Sequence, residues 1–339
     1  MGSIDFFAGC GGSGQGVDRA GFTPVLAANH WERAVQSHAA NFPGTDHFTG
    51  DIHEADPGRF PYAEFFWASP ACPKWSNARG VKRNFDRQSS LLDDLPPAEA
   101  AQWGPLPTEE EERSRALMWD VPRYLAAMRR RDSARPVLAG VVENVVECRK
   151  WAWWDAWIAA IHAEGYRTRL IAFNSMHASA PSTPRPPQSR DRLYLAYWHE
   201  SLRRDPDWDR WLRPSAWCPT CEEWVAAMQV WKRPGQDMGR YGVRNQYVYR
   251  CPAASCRHQI VEPAVAPAAV AIDWTVPGQR IGDRDEPLAP KTMARIEAGL
   301  RKYTRPITLE ARGHTFERRP GVRTWPADAP LTTLHTTES

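Results

Sequence analysis

Ile4-Asp5-Phe6-Phe7-Ala8-Gly9-Cys10-Gly11-Gly12-Ser13-Gly14, residues 4 to 14, passes from an apolar run straight into a glycine loop. An apolar run without alternation reads as a strand covered on both faces, and the glycines open a turn. Val17 and Ala20 then carry the apolar side of a helix, giving a strand, glycine loop, helix unit. Further strands are predicted over 24 to 29, 65 to 68 and 137 to 143, with a helix over 34 to 41 between the first two. Helical apolar spacing recurs over 114 to 130 and 151 to 162, where Trp154, Trp157, Ile158 and Ile161 lie about a turn apart. The alternation predicts an α/β fold built on a doubly wound, mostly parallel sheet. After the strand LYLAYW, 193 to 198, the chain becomes proline-rich and irregular, which predicts a domain boundary near His199.

The 339 residues carry a net charge of +3, unevenly spread. Residues 1 to 198 hold 22 Lys and Arg against 23 Asp and Glu, and the remainder 21 against 17. The excess is densest from Trp231 to Arg257, where Lys232, Arg233, Arg240, Arg244, Arg250 and Arg257 face only Asp237. Such a run suits a phosphate backbone, or is a solvated basic face. Residues 88 to 112 are acidic, with prolines and no Lys or Arg, and read as a surface insertion. No signal-peptide pattern opens the chain and no apolar run approaches the roughly 18 residues of a membrane span. A cytoplasmic protein without a membrane partner is expected.

Seven cysteines in a chain this long suit reduced thiols. Cys218 and Cys221 are spaced CxxC, and after 29 intervening residues Cys251 and Cys256 are spaced CxxxxC. Four thiolates make a tetrahedral structural Zn2+ site, with His258 as an alternative ligand. The zinc-binding insertion spans about 215 to 260.

Cys72 follows a strand and precedes a basic loop holding Lys74, Ser76, Arg79, Lys82 and Arg83. A free thiol near pKa 8.5 is only about 3% thiolate at pH 7, and a positive field raises that fraction. Cys72 is therefore a candidate nucleophile, the alternative being a buried inert thiol. Glu143 ends the apolar run VLAGVV, at the carboxyl edge where open sheets bind ligands, unless it merely starts a helix. The match to GxGxxG at 9 to 14 lacks the acidic residue that a dinucleotide site places about 20 positions on, because Asn29, His30 and Trp31 stand there.

Four segments in order, DFFAGCGG (5 to 12), SPAC (69 to 72), ENV (143 to 145) and QSRDR (188 to 192), resemble the motifs of the C5-cytosine-specific DNA methyltransferases of restriction-modification or phage type. The resemblance covers residues 3 to 198 closely and 300 to 339 loosely. It implies a Rossmann-like domain over 1 to 198 that binds S-adenosylmethionine, and a target-recognition region over 199 to 339. Phe7, Ala8, Gly9, Cys10, Gly11 and Gly12 would line the donor, with His30, Trp31, Asp51, Ile52 and Pro70. His30 departs from the usual ribose-binding glutamate. Pro70-Ala71-Cys72-Pro73 replaces the usual Pro-Pro-Cys-Gln and keeps the nucleophile. The resemblance further implies that Glu143 holds the base at N3 and its amino group, that Arg192 reaches O2, and that Arg190 braces them.

The implied activity is methyl transfer to C5 of a cytosine flipped from duplex DNA, through a covalent Cys72 adduct. Lys74, Ser76, Arg79, Lys82, Arg83, Gln188, Lys232, Arg233, Arg240 and Arg244 are the expected DNA contacts. The family's closing motifs are not found after ADAPLTTLHTTES, so a separate C-terminal complement chain is an expected partner. Two other readings stand: a DNA-binding subunit inactive by itself, and an RNA cytosine-5 methyltransferase.

Overall fold

The computed structural model describes residues 1–70, 116–180, 183–276, 278–302, 307–309 and 324–330. A seven-stranded sheet forms its centre. The strands are β1 (Gly2–Phe6), β2 (Thr23–Asn29), β3 (Asp46–Thr49), β4 (Phe65–Ala68), β5 (Ala139–Asn144), β6 (Tyr166–Asn174) and β7 (Asp191–His199), in spatial order 3-2-1-4-5-7-6. The first five run parallel, while β7 is antiparallel to both β5 and β6. The doubly wound, mostly parallel sheet expected from the sequence is present, with its order reversing between β1 and β4.

The central strands are apolar because both faces are covered. Helices α1 (Gly12–Arg19) and α2 (Glu32–Asn41) follow β1 and β2, while α3 (Asp120–Arg131) and α4 (Trp154–Ala163) flank β5. Val121, Tyr124, Leu125 and Met128 of α3, and Trp157 and Ile161 of α4, are essentially inaccessible. Trp157 also donates Nε1–H to the Met118 carbonyl at 2.8 Å, so its one polar atom is satisfied. Gly140 is dictated by packing: a Cβ there would stand 2.1 Å from both the Phe66 carbonyl and the Tyr197 hydroxyl, which are themselves bonded at 2.8 Å.

The sequence reading passes over two strands. β3 is four residues and carries only partly covered side chains, so it has no apolar signature. β6 opens on the polar run Arg167-Thr168-Arg169, which leaves only Leu170 to Phe173 as an apolar stretch and hides a nine-residue strand. Residues after His199 are also more ordered than expected. The hairpin β8 (Ser215–Cys218) and β9 (Glu223–Ala226), the pair β10 (Met228–Trp231) and β11 (Tyr247–Arg250), and a helix over Pro290–Lys302 all form there. Ala216, Cys218, Val225, Tyr247, Tyr249 and Cys251 belong to the same buried cluster as the sheet's core. No helix among the described residues is long and apolar enough to cross a membrane.

Candidate functional site

The parallel strands deliver their carboxyl ends to one edge, and the glycine loop lies there. Phe7 leaves β1 at φ 64°, a left-handed conformation rare for an aromatic residue. Gly11 caps α1 at φ 107°, and a Cβ on it would sit 2.5 Å from the Phe42 ring. No side chain caps the helix, so its first amides remain available for a ligand. Cβ atoms on Gly9 and Gly12 would meet nothing within 4 Å, so the loop presents open backbone. Asn29 ties the loop to β2, donating Nδ2–H to the Ala8 carbonyl at 2.8 Å and accepting the Trp31 N–H at 2.8 Å. Asn41 donates to the Cys10 carbonyl at 2.6 Å. Trp31 leaves its indole 60% exposed beside the loop; His30 is exposed, Ile52 buried, and Asp51 accepts the His53 N–H at 2.9 Å. This cradle of bare backbone with a free aromatic face fits an adenosyl donor such as S-adenosylmethionine.

The second half of the edge forms where β7 reverses direction. Its first residues lie at the carboxyl end of β5, with Glu143 opposite Tyr194 and Asn144 opposite Leu193. Arg192 thereby meets Glu143, Nε to Oε1 at 2.7 Å, as an ion pair off the N–H direction, while its Nη1 donates to the Asp191 carbonyl at 2.9 Å. Asn144 donates Nδ2–H to the Pro70 carbonyl at 3.4 Å, and Ser69 N–H bonds Phe6 at 3.0 Å, so the ends of β1, β4 and β5 are joined. Cys72, two residues beyond Pro70, lies outside the described residues, as do Lys74, Ser76, Arg79, Lys82, Arg83 and the acidic insertion.

Two residues of this edge were not singled out from the sequence. Asp5 is buried beneath the loop and accepts the Ser13 hydroxyl. Burial pushes its carboxyl up to about 7; the Ser13 bond opposes that and the nearby Glu143 carboxylate adds to it. An acid inside an apolar strand was the available signal. Asn174, 1% exposed at the end of β6, accepts the Arg190 N–H at 3.0 Å and donates to both Ser189 and Asp191 at 3.1 Å. It clamps the arginine segment, and nothing in its sequence neighbourhood signals that.

The model of the C-5 cytosine-specific DNA methylases matches residues 1–95. Type II methyltransferase M.HgiGI of Herpetosiphon aurantiacus is 31% identical over 102 residues, which is 27% of this chain and 76% of that protein. The chain belongs to the C-5 cytosine-specific DNA methylase family. M.HgiDI of the same organism is 32% identical over 102 residues and M.NgoPII of Neisseria gonorrhoeae 32% over 93, each match taking 27% of this chain. The chain spans only 31% and 27% of the length of those two relatives. Among solved structures, a putative DNA modification methyltransferase of an E. coli prophage is similar over 62% of this chain and 49% of that one, at 18% identity and TM-score 0.44.

In this methylase-family chain the four late cysteines converge. The Sγ atoms of Cys218, Cys221, Cys251 and Cys256 all lie within 4.8 Å of one another, with Cys221 and Cys251 3.9 Å apart. A tetrahedral zinc with bonds of about 2.3 Å requires sulfur–sulfur edges of about 3.8 Å, so the donor set fits. His258 is not among them: its Nδ1 bonds the Cys251 carbonyl at 3.1 Å and braces that turn. Of the basic residues expected on DNA, Arg233 and Arg244 are exposed, and exposed Lys232 reaches the Gly242 carbonyl at 3.2 Å. Arg240 differs, since its guanidinium is paired with Glu147. Gln188 adjoins the clamped segment.

Proposed function

We propose that the chain is a DNA (cytosine-5-)-methyltransferase acting on a cytosine extruded from duplex DNA. The observation that carries this is the Glu143–Arg192 pair at the same sheet edge as the glycine loop. A carboxyl and a guanidinium side by side suit the N3, amino and O2 edge of one cytosine. In this reading Glu143 holds the base at N3 and its amino group, Arg192 holds O2, and Arg190 supports both. The Cys72 thiolate adds to C6, which makes C5 nucleophilic. S-adenosylmethionine, when bound over Phe7 to Gly12, Trp31, Asp51 and Ile52, supplies the methyl group. Loss of the C5 proton to a base then lets the C6–sulfur bond break and returns the thiolate.

Residues 1 to 198 would form the catalytic domain and 199 to 339 the target-recognition region, with Zn2+ held by the four cysteines as a structural ion. Zinc there would fix the two cysteine turns. Reduced thiols in this number are consistent with a cytoplasmic protein. Lys74, Ser76, Arg79, Lys82 and Arg83 after the nucleophile, with Gln188, Lys232, Arg233 and Arg244, are the proposed DNA contacts.

The test is trapping on duplex DNA containing 5-fluorocytosine, whose C5 fluorine blocks release. A covalent complex formed by the chain and lost in Cys72→Ser supports the reading. No complex with duplex DNA overturns it. A complex only with structured RNA selects RNA as substrate, and one only after a C-terminal fragment is added selects a split enzyme.

A further inference from the structure

The two halves of the proposed base-binding edge, Glu143 and Arg192, are separated by 48 residues, yet both are gripped by one dipeptide of the cysteine-bearing region. Arg240 pairs with Glu147, four residues past Glu143 in the short 3-10 helix Val146–Lys150 that follows β5. Tyr241 donates its backbone N–H to Asp191 Oδ1 at 2.9 Å, and Asp191 lies between Arg190 and Arg192. The same carboxylate accepts from the buried Asn174 at 3.1 Å. Glu147 is largely covered, at 11% side-chain exposure, so its pairing is screened less than a surface contact.

The dipeptide is in turn fixed by the strand that enters the cysteine cluster. Gln246 Oε1 accepts the Arg240 N–H at 2.9 Å, and Gly242 N–H bonds the Tyr247 carbonyl at 2.9 Å. β11 begins at Tyr247 and runs directly into Cys251. Its Tyr247 and Tyr249 are fully buried, and the ring of Tyr249 packs 5.2 Å from His177, which Tyr241 also touches at 4.5 Å. Gln229 of β10, the partner of β11, donates to the Ala172 carbonyl of β6 at 2.8 Å. A continuous set of contacts therefore runs from the four sulfurs to both catalytic segments.

We propose that Arg240 and Tyr241 are positioning residues, a two-residue staple holding the Glu143 and Arg192 halves of the site in register, and that metal at the four cysteines keeps the staple rigid. The inference rests on the methyltransferase reading for its catalytic consequence, and on the contacts above for the coupling itself. Neither residue is one of the pair proposed to hold the base. Their effect is on the mutual geometry of two groups that do, where a displacement of about 1 Å is enough to slow chemistry on the order of a hundredfold.

The test is backbone hydrogen exchange on the intact chain before and after chelation, read in segments 143 to 149, 188 to 192 and 23 to 29. Exchange in the first two is expected to rise at least about tenfold on metal removal while β2 keeps its protection, as local opening predicts. Unchanged protection of both catalytic segments overturns the coupling. Glu147→Ala and Arg240→Ala are expected each to slow covalent trapping about tenfold, with the double variant no slower than either and with S-adenosylhomocysteine affinity within about twofold. Additive losses, or parallel loss of S-adenosylhomocysteine binding, overturn the positioning role. If the unaltered chain traps no fluorinated DNA, the methyltransferase reading fails, and the exchange experiment still decides the staple.

Discussion

Arg192 Nε stands 2.7 Å from Glu143 Oε1, with the two side chains 12% and 24% exposed, although 48 residues of sequence separate them. The pair exists because β7 runs against β5, which brings the first residues of one strand beside the last of the other. Two groups so placed present a donor and an acceptor to a planar ligand. Arg192→Ala is expected to slow adduct formation on fluorinated duplex DNA by about 100- to 1,000-fold, the usual cost of one electrostatic stabiliser. S-adenosylhomocysteine titration should show the donor site intact. Arg192→Lys should recover little, because an ammonium cannot reproduce a fixed planar fork. Equal trapping rates in all three proteins would remove Arg192 from the mechanism.

Asp5 gives a pH dependence with a defined sign. Its carboxyl is held up to about 7 by burial, against an ordinary value of 3.8. Between those values the folded state keeps the proton that the unfolded chain releases, so its stabilising contribution is complete below about pH 4 and lost as pH rises through 7. At roughly 1.4 kcal/mol per pKa unit the loss is on the order of a few kcal/mol. Asp5→Asn retains an acceptor for Ser13 and cannot ionise. Its melting temperature relative to the unaltered chain should climb between pH 4 and pH 7; a constant difference would contradict the assignment.

The glycine loop separates two kinds of glycine. Gly11→Ala forces a side chain into φ 107° and against Phe42, and should cost about 1 to 3 kcal/mol in thermal melts. Gly12→Ala meets nothing and should leave the melting temperature nearly unchanged. Its methyl group projects where the donor is expected, so S-adenosylhomocysteine affinity should fall in this variant. Undiminished affinity would place the donor elsewhere.

The cysteine cluster predicts about one zinc per chain by atomic absorption. Cys251→Ser should lose it, and Cys10→Ser, at an exposed thiol outside the cluster, should keep it. Structural zinc contributes on the order of 10 kcal/mol in small modules at neutral pH, so chelation should unfold the 215 to 260 region well before the sheet. Purified protein without metal that shows unchanged exchange protection in this region would argue against a metal site.

The glycine loop, the apolar strands β1, β2, β4 and β5 and the cysteine spacing were legible because each is a local signal. A strand buried on both faces is mostly apolar, a left-handed helix cap favours glycine, and metal ligands on tight turns keep fixed spacing. Those constraints act within a few residues, so the order of residues by itself determined the α/β class, the loop and the four sulfurs. The pairing of Glu143 with Arg192 was decided by the antiparallel insertion of β7, beside a β6 whose arginines hid it. Asn174 and Asp191 acquire their roles only from neighbours brought by that insertion. Arg240 shows the difference most plainly: in sequence it is one cation in a basic run, and in the fold it is neutralised by Glu147. Charge composition is local, whereas the partner that consumes a charge is chosen by tertiary packing.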